Sequence, residues 1–384
     1  MAKSVKDFLE ASQIDKLLGK GERFVGRLPK LAYTSADYLG MEHATWLDRT
    51  WIMVGRAHEL SNPGDMMPVH GQPFFLVRDK EGAIRAYHNA CRHRGHELVS
   101  KPCTKSRRIV CPYHSWSYGL DGRLLSAPYF AGAKDQRHPD FDFGEFGLIP
   151  VRCGVWKNWI MINVDGNAPP LEDFAKPLEN LFSDVNFSNL KHIATVEKLP
   201  MPVNWKIATE NNVEPYHVPM VHTKTAAGQP LGDHRIISDG YLVGSRIDMP
   251  DAVFTNLPET KKANEHLDTS SRYCTRTPNL CLTSHAPDKI IDTIILPDRE
   301  NPGQCWISHA IYSTSGAGMG DDELTLWLKL EEEVLDEDLA VMEGVARGMR
   351  SPTALDGIMS PVWEAGVARY YSNMLDIMLD QGTR

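Results

Sequence analysis

The sequence contains no long hydrophobic run. Its longest apolar stretches, "NWIMINV" and "IIDTIIL", fall far short of the ~20 residues that a membrane-spanning helix needs. It has no basic surplus either. The 41 Lys and Arg against 50 Asp and Glu give a formal charge of −9, which argues against a general nucleic-acid-binding role. The acidic residues are dispersed rather than gathered in a tail, so their plain reading is solubility. The opening stretch, "MAKSVKDFLEASQIDKLLGKGER", has no continuous apolar segment. It reads as a short amphipathic helix rather than a signal peptide, and the cytoplasm is the expected location. No internal repeat, low-complexity segment, flavin motif or nicotinamide motif is visible. Cysteine is sparse: Cys91, Cys103, Cys111, Cys153, Cys274, Cys281 and Cys305 are odd in number and irregularly spaced. A disulfide framework is therefore not expected, and most should be reduced, buried thiols. Cys91 and Cys111 differ from the others, because each has a histidine close by.

What is present is ordinary globular text: 42% hydrophobic and 24% charged residues over 384 positions, enough for two domains. Residues 44–165 read as short β segments ("TWIMVGRA", "QPFFLVRD", "AIRAYHNA", "RIVCPYH", "WIMINVDG") separated by turn text such as "NPGD", "DKEGA" and "LDGR". "DGNAPPLEDF" then leads into helical text. A polar helix is predicted over 203–218, β patterning over 235–315, a long helix from about Asp322 to Met349, and a last helix at "WEAGVARYYSNMLDIML". The expected class is α+β, with a small all-β domain at 44–165 and a larger domain made of 1–43 and 166–384.

Two constellations carry chemistry. The first is Cys91-x-His93, then 17 residues, then Cys111-x2-His114, each pair near the tip of a predicted β-turn-β unit. Four such ligands from two loops suit zinc or iron–sulfur. Zinc patterns usually segregate the cysteines from the histidines, whereas here each loop offers one of each. That division suits a two-iron cluster with two thiolates on one iron and two imidazoles on the other.

The second constellation is Glu214-x2-His217-x4-His222. On a helix Glu214 and His217 share a face, and Pro219 is expected to end or kink that helix near Val218, letting His222 swing back toward His217. Two histidines and a carboxylate on one face of an Fe(II) ion are the ligands of non-haem iron oxygenases. The long helix supplies a carboxylate out of place. Leu328, Leu335, Met342 and Val345 form an apolar stripe, and Asp338 falls inside it, while Asp336, Glu343, Lys329 and Glu333 fall on the polar side. A carboxylate on a buried face needs a partner, and iron would be one.

These stretches resemble one family. "C-x-H-R-G-x-x-L" and "C-P-Y-H-x-W-x-Y" are similar to the cluster loops of Rieske proteins of the oxygenase branch. His96 and Tyr113 stand where the respiratory branch has its disulfide cysteines. Ser115 stands where the family usually has glycine. "NWK…EN…E-x-YH-x4-H" and "DEDLAVMEGVARGM" are similar to the iron-binding segments of Rieske non-haem iron oxygenase large (alpha) subunits, and the likeness runs from about Thr50 to Met349. The resemblance implies a [2Fe-2S] cluster on Cys91, His93, Cys111 and His114 and mononuclear Fe(II) on His217, His222 and Asp338. It also implies Asn211 near the iron, dioxygen as co-substrate, and a catalytic domain of helix-grip, START-like form, an antiparallel sheet covered by helices. Glu214 would bridge to a cluster histidine of the neighbouring subunit, within a head-to-tail homotrimer that in some members carries a beta subunit. Glutamate there resembles the choline and carnitine monooxygenase branch. Electrons would come from NAD(P)H through a separate ferredoxin or flavin reductase. The basic "KPCTKSRR" (101–108) reads first as a solvated β-turn, with docking of an acidic ferredoxin or reductase through charge complementarity as the alternative.

The expected substrate is a small, aromatic or otherwise ring-containing organic molecule. Quaternary-ammonium oxidation and N- or O-demethylation are alternatives on the same scaffold. Tyr241, Phe254, Tyr273 and Trp306 are candidates for the pocket wall. Two rival readings are a Rieske electron-transfer protein without oxygenase activity and a zinc-stabilised binding module.

Overall fold

The structure is a computed structural model that describes residues 3–20, 24–133, 135–225, 231–248, 270–285, 288–316, 318–353 and 357–379. Two compact units emerge, Asp48–Glu172 and a second made of Met1–Leu47 with Asp173–Arg384. No helix among the described residues is long and apolar enough to cross a membrane.

In the unit Asp48–Glu172, the strands are β1 (Ile52–Arg56), β2 (Met66–Pro68), β3 (Phe74–Arg78), β4 (Ile84–His88), β5 (Ile109–Val110), β6 (Ser117–Tyr118), β7 (Leu124–Ser126), β8 (Pro150–Trp156) and β9 (Trp159–Asn163). Six of them form a sheet in the order β1-β9-β8-β4-β3-β2, and β5-β6-β7 form a three-stranded sheet. The runs "IMVGR" and "WIMIN" are apolar up to their last residue rather than alternating, and both strands are buried along their length. The apolar core around Phe75, Tyr87, Trp116 and Tyr118 also takes in Cys91 and Cys111. Two short sheets thus present two loops from one packed base.

The larger unit holds a seven-stranded antiparallel sheet: β10 (Lys191–Met201), β11 (Arg235–Asp239), β12 (Leu242–Asp248), β13 (Ser270–Arg276), β14 (Leu280–His285), β15 (Lys289–Pro297) and β16 (Cys305–Ser313). From β11 to β16 the strands follow one another as a meander, and β10 joins the far edge beside β16. The helix Asp321–Gly348 starts with Asp321, Asp322 and Glu323, whose charges suit the positive end of the helix dipole. The apolar face is as expected at Leu335 and Met342 but not at Val345, which is 44% exposed; Trp327 and Glu331 are buried in its place. The helix Ala365–Leu379 packs along β11 and β12. Near the N-terminus, the helix Ala11–Leu17 buries Ile14 and Leu17.

One helix departs from expectation. The stretch 203–218 is not continuous: a helix spans Trp205–Val213, Glu214 is extended, and a short second helix runs Val218–Val221. The cause is Pro215, which disfavours helical backbone at the residue before it. Pro219, expected to end a helix, instead lies in the first turn of one, where its missing N–H costs no bond. Asn204 caps the first helix by accepting the Lys206 backbone N–H at 2.9 Å.

Candidate functional site

The loop carrying Cys91 and His93 and the loop carrying Cys111 and His114 are built alike. In one, the Cys91 N–H donates to the His96 carbonyl (2.9 Å) and the Gly95 N–H returns to the Cys91 carbonyl (2.9 Å). In the other, the Cys111 N–H donates to the Trp116 carbonyl (2.8 Å) and the Ser115 N–H returns to the Cys111 carbonyl (3.0 Å). This closure demands a left-handed residue four places after each cysteine, and Gly95 (φ 73°) and Ser115 (φ 59°) occupy those places. The two thiols are buried and the two imidazoles exposed. The imidazole rings of His93 and His114 lie 4.6 Å apart, and His93 stacks on Trp116 at 4.9 Å. Burial pushes the Cys111 thiol up, with Cys91 beside it adding to the effect. Two sulfurs inside and two ring nitrogens outside fit a cluster with one sulfur-bound and one nitrogen-bound iron.

Tyr118 extends this site. Its hydroxyl accepts the Arg92 backbone N–H at 3.1 Å, which leaves its own proton for Cys91 Sγ, also at 3.1 Å. Sequence reasoning quoted this tyrosine only as a motif position; its contact to the sulfur appears in the fold. The His96 Nδ1 lies 2.6 Å from the Glu97 carbonyl, and its ring lies 6.0 Å from that of Tyr113.

In the larger unit, the break after Val213 shapes the second site. Glu214 and His217 do meet, but across a turn rather than along a helix face. One carboxylate oxygen of Glu214 accepts the Tyr216 and His217 backbone N–H groups, and the other lies 2.6 Å from His217 Nδ1. His222 Nδ1 lies 2.9 Å from Glu337 Oε2, which also accepts the Thr225 hydroxyl at 2.7 Å. An ionised carboxylate only accepts, so both imidazoles carry a proton on Nδ1 and leave Nε2 free. Both Nε2 atoms converge on one oxygen: Asp338 Oδ1 lies 3.5 Å from that of His217 and 3.2 Å from that of His222. That oxygen is buried with no hydrogen-bond partner among the described residues. The ligand atoms of His217, His222 and Asp338 all lie within 4.8 Å of one another, a spacing that can hold one metal ion. Two neutral lone pairs facing an orphaned carboxylate oxygen fit a bound divalent cation.

The ligand groups are electrostatically coupled. Burial raises the Asp338 pKa, but His222, His217 and Asn211 outweigh it, and the carboxyl ends below its ordinary value. For His222, burial lowers the pKa, while Asp338 and Glu337 pull it above the usual histidine value. Asn211 therefore sits against the Asp338 carboxyl. Glu337 was missed by the sequence reading; its adjacency to Asp338 was the available signal, since neighbouring helical residues point about 100° apart and can serve two different atoms.

The triad opens on a cavity of about 410 Å³. One wall follows the two-residue period of a sheet face, with Thr283 and His285 on β14 and Ile291, Thr293 and Ile295 on β15. The opposite wall is the helix Asp321–Gly348, with Trp327, Glu331 and Leu335 leading to Asp338. Of the four expected aromatic wall residues, Tyr273 lines the cavity. Tyr241 instead lies beneath the Arg276 guanidinium, 5.3 Å from its ring centre. Trp306 is not part of the lining, and Phe254 lies outside the described residues.

A loop pair presenting two thiols and two imidazoles, together with a two-histidine, one-carboxylate pocket, defines an iron protein of the Rieske oxygenase type. Comparison with known proteins is specific. Residues 50–137 match the Rieske [2Fe-2S] domain, residues 187–380 match the ring hydroxylating alpha subunit (catalytic domain), and the chain belongs to that family of alpha subunits. Its cofactors are accordingly a Rieske [2Fe-2S] cluster and a mononuclear iron. Among relatives, the glycine betaine monooxygenase oxygenase subunit of Chromohalobacter salexigens is 34% identical over 197 residues, covering 51% of this chain and 43% of the relative. The carnitine monooxygenase oxygenase subunit of Acinetobacter pittii is 33% identical over 201 residues, covering 50% and 52%. The matched region thus spans about half the length of these relatives. Among solved structures, a quaternary ammonium Rieske monooxygenase bound to an inhibitor superposes with a TM-score of 0.78 at 23% identity, covering 96% of this chain and 98% of that one. A naphthalene 1,2-dioxygenase variant bound to phenanthrene gives 0.74 at 19% identity, covering 92% of each. At these identities the likeness shows a shared fold.

Proposed function

We propose that this chain is the terminal oxygenase component of a Rieske non-haem iron system, acting on a small organic substrate. The observation that carries the reading is the orphaned Asp338 oxygen facing two histidine nitrogens at the end of a cavity. The unit Asp48–Glu172 is read as the electron-receiving domain, with Cys91, Cys111, His93 and His114 holding the cluster. The remainder is read as the catalytic domain, with His217, His222 and Asp338 holding the iron. The cluster supplies single electrons and the iron supplies dioxygen activation.

The chain's own residues prepare that site. Glu214 and Glu337 fix the tautomer and aim of the two imidazoles; Asn211 steadies the Asp338 carboxyl. The cavity wall excludes water and orients the substrate. Electrons would arrive from NAD(P)H through a ferredoxin or flavin reductase. Glu214 would also relay them from a neighbouring subunit's cluster within a homotrimer, with or without a beta subunit. A ring-containing substrate is one reading; the oxygenase subunits acting on glycine betaine and carnitine support a quaternary-ammonium reading as the second.

His217→Ala tests the proposal. Iron content and substrate-dependent oxygen uptake with a surrogate reductase should fall to background while the red-brown cluster spectrum persists. Unchanged iron content, or a colourless zinc protein, would refute it.

A further inference from the structure

Glu331 is the buried charge that the metal site leaves unexplained. It is 6% exposed, lies on the helix Asp321–Gly348 and lines the cavity. It precedes Asp338 by seven residues, so the two share a helix face about 10 Å apart along the axis. The groups facing it are poor counter-charges. His309 Nδ1 is 3.4 Å away, a long contact. His285 has its pKa lowered by burial, only partly offset by Glu331, so it is neutral near pH 7. Among the described residues, the cavity lining holds no arginine. Its two lysines, Lys224 and Lys329, are exposed, and Lys329 pairs with Glu333 at 3.8 Å. Aromatic rings share the cavity with Glu331: Trp327, one helical turn before it, with His285 5.9 Å from the indole, and Tyr273, 5.7 Å from His285. The Trp327 Nε1 is buried without a partner among the described residues.

A buried carboxylate whose one close partner is a long contact to an imidazole is under-compensated, and one in a cavity lined by aromatic rings makes a seat for an organic cation. We propose that Glu331, with Trp327 and Tyr273, anchors a positively charged ammonium group of the substrate at the end of the cavity away from the metal. The inference rests on the oxygenase reading for what the cavity does, and it narrows the substrate class to organic cations. It adds a geometric consequence. With the charge held about two helical turns from Asp338, the carbon presented to the metal lies several bonds from the nitrogen rather than on it. The Trp327 N–H then provides a donor for an oxygen of the same ligand.

Equilibrium dialysis of the cluster- and iron-containing protein under nitrogen, without turnover, tests this seat. The probes are benzyltrimethylammonium and its uncharged isostere neopentylbenzene. The cation should bind about tenfold or more tightly than the isostere. Glu331→Gln should remove that preference without lowering the melting temperature and with iron content and cluster spectrum unchanged. Equal affinity for the two probes, or an unaltered preference in a folded Glu331→Gln protein, would overturn the proposal. Should Glu331→Gln fail to fold, Trp327→Phe keeps most of the packed volume. It should weaken the cation about threefold and spare the isostere; unchanged cation binding would equally overturn it. Binding is read without oxygen chemistry, so its failure stays separate from failure of the His217→Ala test.

Discussion

At the scale of single residues, the cluster loops show what a family departure means physically. Ser115 occupies a left-handed position, φ 59°, that its matching partner Gly95 fills without strain. Ser115→Gly should therefore stabilise the unit Asp48–Glu172, by about 1 kcal/mol before the added flexibility of the unfolded chain is counted. Denaturation followed by loss of cluster absorbance would read this, and Ser115→Ala, which retains the Cβ, should show no gain. Tyr118 makes a different contribution. A hydrogen bond to a cluster sulfur stabilises the reduced, more negative state, so Tyr118→Phe should lower the cluster's midpoint potential. One bond of about 1 kcal/mol corresponds to about 40 mV for one electron; redox titration of the visible spectrum with an unmoved potential would count against this role. For iron, Glu337→Gln leaves an amide that can still receive the His222 proton but no longer adds charge. Iron affinity should fall about tenfold or more in a competitive chelator titration.

At the scale of elements, the helix Trp205–Val213 holds Asn211 against the metal carboxylate, and it is itself pinned by a buried charge. Lys206 Nζ lies 2.8 Å from Glu42 Oε2, both side chains fully buried, with the ammonium 5.2–5.8 Å from the rings of Trp205, Tyr33 and Tyr38. Burial raises the Glu42 pKa and Lys206 opposes it, so removing the lysine strands a carboxyl in the core. Lys206→Met should destabilise the larger unit by about 3–5 kcal/mol in urea unfolding. A loss below 1 kcal/mol would mean that the pair is not what fixes this helix. Their pairing was not legible in the sequence, because 164 residues separate them and nothing local marks Glu42 as buried. The same limit explains the helix misjudged over 203–218. Helical text and two prolines were legible, but which proline breaks and which one starts a helix depends on the turn that Glu214 closes with its own carboxylate. Asp338, by contrast, was legible, because an acid within an apolar stripe is a local anomaly.

At the scale of the molecule, the ligand sets were legible because metal chemistry fixes residue type and spacing, whereas the cavity was not, because it is assembled from five strands and three helices distant in sequence. Trp327 and Glu331 read as ordinary helix residues, and only the fold turns them toward the sheet. Glu214 carries the largest remaining question. Its two oxygens already hold His217 and two backbone N–H groups, so within one chain it acts as the support of an iron ligand. If it also relays electrons from a neighbouring subunit's cluster, two damaged subunits should repair each other. His114→Ala removes a cluster ligand and His217→Ala an iron ligand, and each alone should abolish oxygen uptake. Co-assembled in equal amounts into a head-to-tail ring, an intact iron site would follow an intact neighbouring cluster in about one quarter of positions. Oxygen uptake should then recover to about a quarter of the unmodified level. Recovery should vanish when Glu214→Gln is added to the His114→Ala subunit, which supplies the iron, and should persist when it is added to the other. Zero recovery in co-assembled protein would assign electron transfer to a single chain and reduce Glu214 to the histidine support seen in the fold.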